Sequence, residues 1–128
     1  MAKRTKDWLK QAERDLRHAR NSLKMEDYEW SCFAAQQSAE KAVKALYESL
    51  SGEGWGHSIT KLMKELPLKL SKEMLNKGAY LDKMYIPSRY PNGFVWGAPV
   101  DYFTQKEAKE AIGNAKDILA FVKTKIPK

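Results

Sequence analysis

Gln37, Glu40, Lys41 and Lys44 interrupt an otherwise apolar stretch at steps of three, one and three residues. On a helix those steps put all four on one stripe. One carboxylate and two ammonium groups in line suit the gripping of an anion, and Glu40 and Lys44, four apart, can also satisfy each other. The stripe has three readings: a ligand cleft, the seam of a symmetric dimer, or a solvated face. Trp30 and Phe33 continue the same face and favour shelter over solvation. His57 directly precedes a predicted helix, whose first N–H groups and positive dipole end favour a contact with phosphate. The bland alternative is a packed or capping histidine. Arg89, in Arg89-Tyr90-Pro91, carries a planar fork that meets a carboxylate or a phosphate in two parallel bonds. Asp15 lies at the edge of an apolar stripe, where a partly dehydrated carboxylate needs a cation or an N–H. Asp15 or Glu40 is therefore the expected structural partner of Arg89, and such a pair would anchor the loop to the helices.

The elements that must position these groups follow from hydrophobic period. Trp8, Leu9, Ala12, Leu16, Ala19 and Leu23 form one apolar stripe on a first helix from Thr5 to Lys24, with Lys10, Arg14 and Arg17 opposite. A second helix is predicted over residues 28–50, after the cap candidate Asp27. Cys32, Ala35, Ala39, Ala42, Val43, Leu46 and Leu50 hold one side, and Trp30, Phe33, Ala34 and Tyr47 wrap most of the rest, the pattern of a central helix with small contact residues. Gln36 is bracketed by Val43 and Tyr47. Ile59, Leu62, Met63 and Leu66 make a third helix that starts near Ser58 and stops at Pro67. A weaker fourth spans residues 71–83 and contains Gly78. Residues 84–103 hold Pro87, Pro91 and Pro99 together with Tyr85, Tyr90, Trp96 and Tyr102. Those rings either stack bases or cover the core. Thr104 and Glu107 form a capping box that opens a last helix, whose buried face is Ala108, Ala111, Ile112, Ala115, Ile118, Leu119 and Val122. The fold class expected is all-α, an up-and-down bundle of four to five helices.

The 128 residues fit one domain, 1–128, and exclude a two-domain enzyme. With 43% hydrophobic residues, 7 Gly and 5 Pro the composition supports a packed core rather than disorder. A net charge of +7 favours anionic partners. Lys3, Arg4 and Lys6 at one end and Lys123, Lys125 and Lys128 at the other read as solubilising tails or loose phosphate contacts. Cys32 stands alone and reads as an inert small hydrophobe, with no Cys/His cluster to hold a metal. No apolar run approaches a membrane span or a signal peptide. A cytoplasmic protein without metal or cofactor, and without membrane attachment, is expected.

Ala12, Asp15-Leu16 and Ala19, the run from Cys32 through Gln36-Gln37, Glu40-Lys41 and Lys44 to Leu46, Gly56-His57-Ser58-Ile59, and Arg89-Tyr90-Pro91 together resemble the HEPN domain family, in order and from about Trp8 to Val122. The resemblance implies a helical bundle that is often a homodimer, is commonly encoded beside a minimal nucleotidyltransferase, and is associated with nucleotide or RNA binding. Some members are metal-independent ribonucleases with an Arg followed, after four to six residues, by a His. Here the histidines are His18 and His57; only three residues separate Arg14 from His18, and no histidine follows Arg89. Nuclease activity is therefore not carried over.

The expected function is a nucleotide- or RNA-binding module acting with a nucleotidyltransferase partner in a toxin–antitoxin-like pair. Lys41, Lys44 and Arg89 would hold phosphate, His57 ribose or phosphate, and Tyr90 a base, beside Gln37 and Glu40. Two alternatives belong to other classes: an atypical ribonuclease using His57 with Arg89 or Lys44, and a purely dimeric scaffold.

Overall fold

The computed structural model describes residues 3–127, so Lys128 lies outside the described residues. The chain forms α1 Thr5–Lys24, α2 Tyr28–Ser49, α3 Ile59–Lys64, α4 Lys72–Asp82, α5 Pro99–Tyr102 and α6 Gln105–Lys125, with one 3-10 turn at Pro91–Gly93. No strand occurs among the described residues, as the periodicity required. Four helices are long; α3 is short and α5 is a single turn inside the segment that read as aromatic loop. Three of the basic residues near the ends are built into helices, Lys6 in α1 and Lys123 and Lys125 in α6, and Lys123 pairs with Glu13 on α1.

α1 and α2 make the closest packed pair, and small residues are the reason. Ser31 and Ser38 on α2 donate to the α1 carbonyls of Ala19 and Ala12, at 2.8 and 2.7 Å, with Ala35 and Ala42 fully buried along the same seam. A larger side chain at these positions would push the backbones apart. A three-residue link, 25–27, folds α2 back along α1. It closes α1 with the double bond of a Schellman motif, Asp27 N–H to Ser22 O and Glu26 N–H to Leu23 O. The left-handed position is Glu26, φ 64°, where glycine would cost nothing. Asp27 holds the N-cap position of α2, but its side chain makes no capping bond.

α6 lays its predicted face, Ala108 through Val122, against α2 and α1. The Thr104–Glu107 capping box forms as the sequence indicated. α4 packs on α6 and on α3, and Gly78 marks the contact with α3: a Cβ there would stand 2.4 Å from the Met63 methyl and 3.1 Å from Ile59 Cγ2. The residue that weakens α4 as a helix is the one that lets α3 approach. The third helix ends at Lys64, earlier than Pro67 requires, while Leu66 stays buried in the turn beyond.

Candidate functional site

α3 is too short to hold itself, and side chains from elsewhere fix it in place. Asp82, closing α4, accepts from the backbone N–H of Ile59 and Thr60 at 2.7 and 3.1 Å and from the Ser58 hydroxyl. Ser58 accepts in turn from Lys61 N–H. The Tyr47 hydroxyl, on α2, donates to Leu62 O at 2.6 Å. The first N–H groups of α3 are therefore already taken, so they offer no phosphate site beside His57. What these bonds do is deliver His57 to α2.

There its Nδ1 lies 3.2 Å from both carboxylate oxygens of Glu40. Glu40 is buried and also accepts from Lys44 at 3.0 Å and from the Gln36 amide at 3.2 Å. The same Gln36 amide reaches the carbonyl of His57, and the Gln37 amide donates to Gln36 Oε1 at 2.8 Å. Lys41 bonds Gln37 and pairs with Asp15 of α1, which Gln11 also bonds at 2.8 Å. The stripe read from the sequence is thus one network from Asp15 to His57, sheltered rather than solvated. Asp15 finds the cation it was expected to need, on Lys41.

Arg89 corrects the expectation placed on it. Among the described residues it pairs with neither Asp15 nor Glu40, both of which have cations of their own. Its Nε donates to Tyr85 O, and the guanidinium carbon lies 4.3, 4.6 and 5.0 Å from the ring centroids of Phe33, Tyr85 and Tyr90. Flat, weakly hydrated guanidinium stacks well on ring faces. Tyr85 joins this cluster to the network, because His57 stacks on it at 4.7 Å. Arg89 thus reaches the network through rings, not through a carboxylate.

Tyr90 and Trp30 form the exposed rim, so Trp30 does not continue the sheltered face. Trp96 is exposed too, and Phe94 stacks on Tyr102 at 4.1 Å and meets Phe103 edge to face. On the other flank, a groove of about 220 Å³ is lined by Trp8, Lys44, Glu48, Glu53, Gly54 and Trp55. Periodicity places Trp8 in an apolar stripe and cannot see Trp55, which sits in the Gly-rich loop. Nor did any pattern indicate Asp82, whose role depends on α4 ending against α3.

Among the described residues no group of His, Cys, Asp and Glu could hold a metal ion, and no helix is long and apolar enough to cross a membrane. Cys32 is buried; burial pushes its thiol up to about 12, and Glu107 and Glu29 add to the effect. Such a thiol is no nucleophile at neutral pH.

The HEPN domain model matches residues 5–125, nearly all of the chain. The chain belongs to the HEPN domain family. This HEPN chain is 44% identical to TT1696 from Thermus thermophilus, whose crystal structure superposes with a TM-score of 0.95 over 97% of this chain and 99% of that one. It is also 44% identical to ST0689, an archaeal HEPN homologue, with a TM-score of 0.85 over 98% of this chain and 100% of the other. "Putative toxin MJ1304" of Methanocaldococcus jannaschii is 28% identical over 134 residues, 94% of this chain and 87% of its own. The HEPN fold accounts for the bundle on which the network and the ring-held arginine are carried.

Proposed function

We infer that this HEPN chain binds a nucleotide or RNA beside the α2 network and works with a minimal nucleotidyltransferase in a toxin–antitoxin-like pair. The observation that carries the reading is Arg89. Its guanidinium is held flat by three rings, its Nε is spent on a carbonyl, and no carboxylate among the described residues neutralises it. A preorganised fork of free N–H groups, with an imidazole stacked on the same Tyr85 ring, suits a phosphate group. Lys41 and Lys44 contribute less, since Asp15 and Glu40 already neutralise them. Tyr90, half-exposed, would stack a base. The toxin name of the Methanocaldococcus relative supports the paired role. Exposed Trp30 and Ile86 favour a homodimer that borders this flank and leaves Tyr90 open to the ligand. Calorimetric titration with ATP and with GTP tests the site: Arg89→Ala is expected to weaken binding at least tenfold. Equal affinity in the two proteins would end the reading.

One observation favours a second reading. His57 is oriented by a buried carboxylate and half-exposed, the arrangement of a general base and its positioning group. A 2′-hydroxyl deprotonated by it would attack the adjacent phosphorus and release a 5′-hydroxyl, leaving a 2′,3′-cyclic phosphate. RNA cut to cyclic-phosphate ends in EDTA, with cleavage lost in His57→Ala, would replace the binding role with this one.

A further inference from the structure

Eight of the chain's 23 basic residues fall between Lys3 and Lys24. At 3.6 residues per turn, Lys6, Lys10, Arg14, Arg17 and Lys24 share an arc of about 80° on the outer face of α1. All five are exposed, and among the described residues none takes part in an ion pair. The carboxylates nearest this ridge are occupied: Asp7 pairs with Arg4, and Glu13 with Lys123 of α6. Five cations along one rod thus stand without internal compensation.

We propose that this ridge is a track for the phosphate backbone of a nucleic acid strand, a surface separate from the Arg89 site. Length decides against a small anion. From Lys6 to Lys24 the helix rises about 27 Å, several times the screening length of about 8 Å at physiological salt, so only an extended polyanion neutralises the whole row. The absence of apolar surface decides against the other polyanions: no large hydrophobic side chain of α1 is exposed. An interfacial membrane helix needs such side chains to insert, and a stable interface with an acidic protein needs them at its centre. A sugar–phosphate backbone needs charge alone. The surface also leads somewhere. A depression lined by Asp7, Lys10, Gln11 and Arg14 shares Asp7 and Gln11 with a second that reaches Trp8 and Lys41, at the edge of the α2 network.

The test is fluorescence anisotropy with a labelled 12-nucleotide oligouridylate across a salt series, on the full chain and on a variant carrying Lys10→Gln, Arg14→Gln and Arg17→Gln. Five phosphate contacts predict a log–log salt slope of about −3.5, and removal of three predicts about −1.4, with affinity about 100-fold lower at 0.1 M salt. A slope and affinity unchanged by the triple substitution overturn the track. So does tighter binding to phosphatidylserine vesicles or to polyglutamate than to the oligonucleotide, which would reassign the ridge to a membrane or an acidic protein. ATP titration separates this inference from the proposed function. The triple variant is expected to bind ATP as the parent does; Arg89→Ala failing to affect ATP, while the triple substitution still flattens the salt slope to about −1.4, would remove the nucleotide site and leave the track standing.

Discussion

Along the inner stripe of α2, Glu40, Lys41 and Lys44 each have a partner at hydrogen-bond distance, and Glu40 has three. Along the outer face of α1 five cations have none among the described residues. The two helices lie side by side and differ in what surrounds their charges. A carboxylate as buried as Glu40 loses its water and must recover that cost from neighbours in fixed positions. An exposed lysine keeps its hydration and needs no neighbour. So the α2 charges act through geometry, holding His57 and Gln36 in one arrangement, whereas the α1 charges act through field.

The most severe way to break that contrast is to remove the centre of the inner network. Glu40→Ala would leave the largely buried Lys44 without its carboxylate, His57 without the group that positions it, and the Gln36 amide with the His57 carbonyl alone. The expected loss is about 3 kcal/mol, or roughly 10 °C in thermal midpoint for a domain of this size. Glu40→Gln, which keeps an acceptor but no charge, should lose less. Scanning calorimetry measures both. A drop under 2 °C in Glu40→Ala would mean that the network is wetter than its burial indicates and no different in kind from the ridge.

Asp82 comes next, because it fixes the start of α3 and so holds His57 against Glu40 from a distance. Asp82→Ala frees two N–H groups and a hydroxyl at the start of α3; the cost expected is about 1–2 kcal/mol, the range for losing a strong helix cap. Hydrogen exchange should rise at Ile59 and Thr60 and stay unchanged in α6. Uniform exchange along the chain would show that α3 is not held separately. If ATP affinity falls as well, placement of His57 is part of the binding geometry.

These two residues also mark where the sequence was legible. Glu40 could be read because its stripe is periodic within one helix, and the frames of α1, α2 and α6 could be read for the same reason, aided by the Thr104–Glu107 cap. Asp82 could not: its partners lie 22 to 24 residues away and obey no period. Arg89 shows a second limit. Its position in an aromatic, proline-containing segment was plain, but a guanidinium is satisfied equally by carboxylate or by rings, and only the folded arrangement of Phe33, Tyr85 and Tyr90 selects the rings. Gly78 shows a third. Its propensity argues against a helix, and the contact with Met63 that explains it belongs to another element.

The link between the two helices offers a change of opposite sign. Glu26 sits in the left-handed region, where a side chain costs about 1 kcal/mol relative to glycine. Glu26→Gly keeps both Schellman bonds and should raise the midpoint by about 4 °C. A fall instead would show that the Glu26 side chain, which the Tyr28 hydroxyl approaches at 3.5 Å, contributes more than its backbone costs.

The smallest expected effect on stability comes from the ridge, and its sign sharpens the contrast most. Lys6 and Lys10, Lys10 and Arg14, and Arg14 and Arg17 stand four, four and three residues apart, spacings at which like charges repel by a few tenths of a kcal/mol per pair. Neutralising Lys10, Arg14 and Arg17 together should therefore stabilise the fold slightly, by about 0.5 kcal/mol, and more at low salt than at high, because screening already weakens the repulsion there. Oligonucleotide affinity should move the other way. A substitution that raises thermal stability while lowering binding is the signature of charge held for a partner outside the chain. A midpoint lowered by more than 4 °C would place these cations in the packing of α1, and the ridge would then differ from the α2 stripe only in exposure.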